Sequence, residues 1–514
     1  MRPVYPFSLH LVITLLGIVG ILGPQSATFS SDPGTGWHLK SGEIMRGLSA
    51  PLFIDPFLAL PSGISQRMWI CDQWLSDILF SLAYSVSGFE GLNLIVTALF
   101  ITTFFVFLYQ ELTLLRPGNP TLYSSVAVSV ACLLSFKLAQ VHFILRPVVF
   151  SFILFIPVWR ASRTLAITGT LSKRLSVLLP LLFIIWANLH PSFLLGLLWL
   201  SIGFTCGVFT GRIKKLLAPL GIITTCGVCT LINPFGLQLH RSILALTQSD
   251  YFMNLHEEWL PPDFTSSEGN FFLITLIFCG TGSVIALLKR EFRSQLTLFD
   301  LMSFSVALAL ALRSVRTVPV WGIVSAPLFA LSFDVWKNLL FRLVGNAPAV
   351  TQGWANIERR EIPAKAITQV SLLTACLGIL SFFPATIRFR GIDPSIHGAG
   401  YPVHLIQNLR IDLESEGKRA TLFAHPSFGG TITFYGYPVV NAVIDDRNTL
   451  IGEEFYRKFF SAREIRENFE VFVQDLGITH ILLSREELND FPIHQWGHVK
   501  VVAEDASHLL YEWK

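Results

Sequence analysis

The stretch "SDPGTGWHLKSGEIMRG" (residues 31–47) follows an apolar run at residues 7–26 and opens the first polar loop of the chain. It sets Asp32, Trp37, His38, Lys40 and Glu43 into a turn that leads into a helical pattern. The rest of the 514-residue chain is unlike it: 52% of residues are hydrophobic and only 14% are charged. A soluble protein carries about 25% charged residues. So few charges cannot cover a solvated surface, and most of this chain must face lipid. The stretch therefore marks a membrane edge, and its reading decides the fold class: a multi-pass α-helical membrane protein.

A helix needs about 20 apolar residues to cross the hydrocarbon layer. Runs of this kind fall at 7–26, 91–110, 121–138, 148–168, 175–190, 192–211, 216–233, 271–288, 298–312, 317–335 and 366–386. They predict about 11 spans, the first read as an uncleaved anchor rather than a signal peptide. Arg160, Arg163, Lys173 and Arg174 fall in the last turns of one span or just after it. Arg212, Lys214 and Lys215 follow another, and Lys289, Arg290 and Arg293 a third. A further group, Lys337, Arg342, Arg359, Arg360 and Lys365, lies between 335 and 366. Basic loops stay on the cytoplasmic side. This places the amino terminus inside, and the region after residue 386 outside. "WLSDILFSLAYSVSG" (74–88) is apolar but short and holds Asp77; as a span it would invert every later loop. It reads as an interfacial helix.

The outer face then collects the unusual residues. Asp32 and His38 lie in the loop 27–73, Arg146 in the turn 139–147, and His190 at the break "WANLHP". Glu257 and Trp259 follow "INPFG" in the loop 234–270, and Arg313 and Arg316 join two later spans. Each has an ordinary alternative. Asp32 could cap a helix, Arg146 could snorkel to headgroups, and His190 could satisfy carbonyls freed by Pro191. Arg313 and Arg316 could anchor the interface, and Glu257–Glu258 could start a helix. Charged groups near a membrane core cost about 2.5–3.5 kcal/mol each on insertion scales, and five loops converging with polar groups on one face point to a site. Cys226 and Cys229 have CxxC spacing but sit in an apolar run without a second pair, which reads as helix packing. The net charge of +3 gives no reason to expect nucleic acid. Neither GxxxxGK[ST] nor GxGxxG occurs, which argues against an ATP-driven pump.

The order Asp32…"WHLKSGEIMRG", "IDPF", "CDQWLSDILFSLAYSVSGFEGLNLI" and an arginine–proline step resembles the integral-membrane glycosyltransferases of the GT-C superfamily. Protein O-mannosyltransferases and lipid A aminoarabinose transferases belong to it. The chain is more similar still to a group of bacterial multi-pass membrane proteins that share D…WHL…G, WANLH, NPFG…EW and DDR motifs. Here these are Asp32…Trp37-His38-Leu39…Gly42, Trp186–His190, Asn233–Gly236 with Glu257–Trp259, and Asp445–Arg447. The resemblance implies a GT-C-like bundle that moves a sugar from a polyprenyl-phosphate-linked donor to a lipid or glycan acceptor of the cell envelope. The reaction would take place at the outer face of a bacterial cytoplasmic membrane. Such enzymes carry paired acids in the first outer loop. Asp32 has no adjacent acid, so it reads as a lone catalytic base, and no cofactor is called for beyond an optional divalent metal. His38, Arg146, His190, Glu257, Trp259, Arg313 and Arg316 are the expected substrate-binding residues. The rival readings are a non-catalytic envelope assembly protein and a transporter or flippase of lipid-linked sugars.

After Arg390 the pattern changes. The bundle is expected over 1–386 and a small extracytoplasmic α/β domain over 387–514. "RATLFAHPSFGGTITFYGYPVVNAVIDDRNTL" reads as strands around a Gly429–Gly430 turn. "SAREIRENFEVFVQDLGI" reads as an amphipathic helix, "THILLS" as a strand, and "HVKVVAEDASHLLYEW" as a hairpin. The linker 387–402 holds Gly391, Pro394, Gly398, Gly400 and Pro402. Asp445-Asp446-Arg447 suits either sugar hydroxyls or a structural salt bridge.

Overall fold

The computed structural model describes residues 32–115, 123–343, 351–354, 400–491, 493 and 497–514. The expected spans at 7–26 and 366–386, and most of the 387–402 linker, lie outside the described residues. The first outer-loop helix, α1 (Thr35–Leu48), is followed by α2 (Trp74–Ile101). The bundle continues through α3 (Ser125–Leu138), α4 (Val148–Thr168), α5 (Lys173–Leu189), α6 (Phe193–Phe209) and α7 (Leu217–Cys229). An outer-loop helix, α8 (Leu237–Gln248), leads to α9 (Ser267–Leu288), α10 (Leu298–Arg313) and α11 (Val318–Leu343). These are the expected apolar runs, with ends shifted by a few residues.

Among the described residues five helices are long and apolar enough to cross a membrane: Gly91–Leu114, Ser125–His142, Val148–Thr168, Ser267–Leu288 and Val315–Leu343. Phe193–Phe209 and Leu217–Cys229 are shorter apolar helices. The 74–88 segment is helical but is set off from the Gly91 helix by Gly88, whose φ of 63° breaks the run. Residues 102–108 of that helix are wound as a π-helix. The residues of α11 from Val318 to Ser332 are all buried, so this helix forms the centre of the bundle. Arg163, grouped by sequence with the basic cytoplasmic residues, turns inward instead. It holds Asp300 of α10 through two hydrogen bonds of 2.9 and 3.1 Å, which offset the cost of burying either charge alone.

The carboxyl-terminal unit is a five-stranded sheet in the order β2-β1-β3-β5-β4. Its elements are α12 (Val403–Glu416), β1 (Ala420–Phe423), α13 (Gly429–Gly436) and β2 (Val440–Ala442), then α14 (Glu453–Ala462) and α15 (Arg466–Leu476), and finally β3 (His480–Ser484), β4 (Val499–Glu504) and β5 (His508–Trp513). β1 pairs in parallel with β2 and β3, while β5 runs antiparallel to β3 and β4. The expected hairpin at Gly429–Gly430 is corrected here: these glycines open α13, which crosses between two parallel strands. Parallel neighbours require a crossover rather than a tight turn. The predicted helix over 461–478 is two helices, broken at residues 463–465.

The sheet unit is docked on the first outer loop. Leu58 bridges Ala442 of β2, and Ala59 N–H donates to the Ala442 carbonyl at 2.8 Å. Helix α1 lies on α13 at a glycine–glycine contact. A Cβ on Gly36 would meet the Gly430 carbonyl oxygen at 2.0 Å, and one on Gly430 would meet the Pro33 carbonyl oxygen at 1.9 Å. A clash with backbone cannot be relieved by a rotamer change, and overpacking of this kind costs about 1–3 kcal/mol. That exceeds the gain of about 1 kcal/mol from placing Ala for Gly in a helix. Gly36→Ala is therefore expected to lower thermal stability and to speed proteolytic release of the carboxyl-terminal unit. Gly47→Ala, in the same helix with nothing within 4 Å, should do neither. Equal behaviour of the two variants in thermal unfolding and limited proteolysis would contradict this docking.

Candidate active site

Asp32 lies just before α1. The N-cap residue of that helix is Gly34, with no side-chain cap. The Asp32 carboxylate turns elsewhere: its Oδ1 is 2.5 Å from Arg146 Nε, and its Oδ2 accepts from Thr35 Oγ1 at 3.1 Å. Arg146 sits in the turn before α4, with Pro147 behind it as the N-cap of that helix. Its other nitrogens reach two more carboxylates. Nη2 is 3.1 Å from Asp446 Oδ2, beyond β2 in the sheet unit, and Nη1 is 3.5 Å from Glu258 Oε1 in the turn after α8. Trp37 Nε1 donates to the second oxygen of Asp446 at 2.8 Å. One guanidinium thus meets acids from the first outer loop, the 234–270 loop and the carboxyl-terminal unit.

Arg316 extends this cluster. Its Nη1 is 2.8 Å from Glu258 Oε1, and its guanidinium lies over the Trp259 ring at 4.7 Å. The two short turns that carry Glu258 and Arg316 are tied together by Ser314 Oγ donating to the Glu258 carbonyl at 3.0 Å and Val315 N–H to the Leu260 carbonyl at 2.9 Å. His142 Nε2 donates to the Arg316 carbonyl at 2.9 Å, which fixes its tautomer. His190 accepts at Nδ1 from the backbone N–H of Ser192, 3.2 Å away, so Nε2 carries the proton of the neutral ring. His190 lies within electrostatic reach of Arg316, His142, His38 and Arg146. The "WANLHP" break is braced by α2: Trp74 Nε1 donates to Asn188 Oδ1 at 2.9 Å, and Ser76 Oγ to the Leu189 carbonyl at 2.7 Å.

His38 is held separately. Its Nδ1 is 2.6 Å from Oδ1 of Asp77, a fully buried residue of α2. The helices can come this close because α1 has glycine at the contact: a Cβ on Gly42 would lie 2.0 Å from the Asp77 carbonyl oxygen.

Below these groups a second arginine joins the sheet unit to the loop. Arg447 Nη1 is 2.8 Å from Asp55 Oδ1, and its Nε is 2.7 Å from Asp445 Oδ2. Its guanidinium faces the rings of Trp69 at 4.5 Å, Phe57 at 5.4 Å and Trp37 at 5.5 Å. In the DDR motif, Asp445 and Arg447 form the joint and Asp446 faces Arg146.

Of the residues expected from sequence, the structure brings Asp32, Arg146, Trp259 and Arg316 into one cluster, with His190 in its field and His38 on the adjoining turn of α1. Two of the expected residues are not brought into the cluster. Glu257 is exposed, and its neighbour Glu258 takes the arginines, because the short 3-10 turn (Glu257–Trp259) points successive side chains apart. Arg313 is exposed in the last turn of α10 and has no hydrogen bond or ion pair with the cluster among the described residues. The sequence reading missed Glu258 and Asp77 for this cluster and weighed Asp446 only within the Asp445-Asp446-Arg447 stretch. Asp32, Thr35, His38 and Ser41 recur every three residues and are all buried. A buried polar stripe of that spacing needs polar partners on a facing element, and this is the signal that could have found Asp77.

Burial pushes the Asp32 carboxyl above the usual carboxylate range. Arg146 pulls it back, and Asp446 pushes it up again. Burial raises the Tyr401 hydroxyl, with Asp32 and then Asp446 adding to the shift. Burial also acts upward on Glu258, but Arg316 and then Arg146 outweigh it and bring its carboxyl down to about 2. Among the described residues no group of three or more His, Cys, Asp or Glu could hold a metal ion. The Arg146 guanidinium lies between the three carboxylates.

No family model and no curated protein matches the chain. Solved structures do. The Archaeoglobus fulgidus oligosaccharyltransferase in its apo form superposes with a TM-score of 0.57 at 11% identity, over 94% of this chain and 71% of that one. The chain has a GT-C fold. The archaeal oligosaccharyltransferase AglB from the same organism, in complex with an inhibitory peptide and a dolichol-phosphate, gives 0.54 at 11% identity, over 93% and 70% of the two chains. ArnT from Cupriavidus metallidurans bound to undecaprenyl phosphate gives 0.47 at 13% identity, over 98% and 97%. Within this fold the arginine cluster is assembled from the loops between helices and the carboxyl-terminal unit.

The Glu258 ion pairs set a pH-dependent contribution to stability. A carboxyl held at about 2, against an ordinary 4.5, stabilises the fold fully above pH 4.5 and loses that contribution as the pH falls towards 2. Glu258→Gln is expected to lower the melting temperature at neutral pH, with the gap to wild type closing between those two values. A gap that stays constant down to pH 2 in detergent-solubilised protein would contradict the pairing.

Proposed function

We propose that the chain is a membrane glycosyltransferase that moves a sugar from a polyprenyl-phosphate-linked donor to an acceptor hydroxyl at the outer face of a bacterial cytoplasmic membrane. The observation that carries this reading is the meeting of Asp32, Glu258 and Asp446 on Arg146 within a GT-C fold. One solved structure that shares this fold is in complex with a dolichol-phosphate. Nucleotide sugars are not supplied outside the membrane, so a lipid-linked donor is the chemistry available there.

The reaction joins the acceptor oxygen to the anomeric carbon and breaks the bond from that carbon to the phosphate oxygen. The leaving group is polyprenyl phosphate, and negative charge builds on its oxygens. Arg146, Arg316 and the Nε2–H of His190 supply donors for that charge. Glu258 is the exchangeable partner: its contact with Arg146 is the longest in the cluster, and its side chain is 30% exposed. The donor phosphate displaces Glu258 from the two arginines. Asp32 and Asp446 are less exposed and hold Arg146 in place during the exchange. Asp32, expected from sequence as the catalytic carboxylate, thus lies against the group that meets the phosphate, and transfer depends on it. The Trp259 ring, with Arg316 on one face, is suited to border the sugar.

The test uses the full chain in lipid nanodiscs. Undecaprenyl phosphate is expected to raise the melting temperature of wild type but not of Arg146→Lys, because lysine cannot span three carboxylates and a phosphate. Membrane vesicles carrying Asp32→Asn should release at least about 100-fold less polyprenyl phosphate from a radiolabelled polyprenyl-phosphate hexose than wild type, on the scale of losing one preorganised group. Release within about 3-fold of wild type would remove Asp32 from the site.

A further inference from the structure

The attacking hydroxyl must give up a proton, and the buried polar stripe that runs from Asp32 into α1 offers two groups to take it: Asp32 and His38. Asp32 is already committed, with Oδ1 against Arg146 Nε at 2.5 Å and Oδ2 accepting from Thr35 at 3.1 Å. His38 is arranged differently. Asp77 accepts from its Nδ1 at 2.6 Å, from Ser41 Oγ at 2.8 Å and from Cys71 Sγ at 3.5 Å. A carboxylate with three donors around it is an acceptor only, so Nδ1 carries the imidazole proton and Nε2 presents a lone pair. Among the described residues Nε2 makes no hydrogen bond.

The ring cannot turn away. It lies tilted against Trp37 with ring centroids 3.6 Å apart, and Trp37 is itself fixed by its hydrogen bond to Asp446. His38 lies one helical turn beyond Thr35 on the stripe that begins at Asp32. The titratable groups that sense its charge are Asp32 before α1, Asp72 before α2 and His190 after α5, besides Asp77. Its ring touches Trp37, whose indole N–H holds Asp446 beside Arg146, and this contact joins His38 to the polar site.

We propose that His38 Nε2 is the proton acceptor of the transfer step, with Asp77 as its positioning residue and Asp32 holding Arg146. The assignment rests on the transferase reading given above. As the acceptor oxygen bonds to the anomeric carbon, its proton moves to Nε2. The electron pair of the breaking carbon–oxygen bond stays on the phosphate. The imidazolium that results is paired with Asp77 and returns its proton to solvent after the products leave. A histidine oriented by a buried carboxylate is a common form of general base, and removing such a base costs about 10²–10⁴ in rate.

The experiment follows polyprenyl phosphate release from a radiolabelled polyprenyl-phosphate hexose in membrane vesicles carrying the full chain, across pH 5–9. His38→Asn is expected to lower kcat by about 10²–10⁴-fold while KM for the donor changes by less than about 3-fold, and to remove the acid limb of the pH–rate profile. Asp77→Asn keeps the side-chain shape but favours the wrong tautomer. It is expected to lower kcat by a comparable factor and to displace that limb, which a merely structural residue would not do. An active wild type with His38→Asn or Asp77→Asn within about 3-fold of it overturns this assignment alone and returns the proton to Asp32. A wild type that releases no polyprenyl phosphate overturns the transferase reading, and this assignment falls with it.

Discussion

The loop-rich end of the molecule is organised by one guanidinium. Arg146 is 20% exposed in its side chain and contacts three carboxylates, one of them 300 residues further along the chain. Partly buried charges are tolerated only when their partners are in place, and breaking a buried pair costs about 3–5 kcal/mol. The first outer loop, the turn after α8 and the carboxyl-terminal unit must therefore all dock before the charge on Arg146 is satisfied. The same requirement explains why so apolar a chain gathers acids at one membrane edge: they are the counter-charges of two arginines.

The docking itself is done by different chemistry. Arg447 closes an ion pair with Asp445 and Asp55 and rests among three aromatic rings, while Gly36 and Gly430 let two backbones touch. Because Asp445 and Asp446 are consecutive, fixing the first aims the second. The carboxyl-terminal unit thus contributes to the site rather than sitting beside it. Tyr401, where the described part of this unit begins, also lies in the field of Asp32, Asp446 and Arg146.

The helical part of the fold was legible because lipid-facing helices leave long apolar runs, and the described helices fall where those runs are. The small domain was harder. "GGTITFYG" holds a run of β-branched and aromatic residues as a strand would, yet it forms α13, since the parallel pairing of β1 and β2 demands a crossover. Tertiary context overrode local propensity there. In the site, Asp32, Arg146 and Arg316 could be named from loop position and charge alone. Choosing Glu258 over Glu257 needs the phase of a three-residue turn, which no periodicity reveals. Asp77 was set aside because its segment was judged as a span or an interfacial helix, not as the partner of a polar stripe on α1. Asp446 was weighed with Asp445 and Arg447 for sugar hydroxyls or a salt bridge, and the salt bridge belongs to its two neighbours.

The central claim is that Arg146 joins the membrane bundle to the carboxyl-terminal unit through Asp446. A double-mutant cycle tests it most directly, using Arg146→Gln, Asp446→Asn and the double variant, with thermal unfolding of the full chain in nanodiscs as the readout. The account predicts strong coupling, with the double variant little worse than either single one and an interaction energy above about 1 kcal/mol. Additive losses, with no coupling between the two positions, would contradict it.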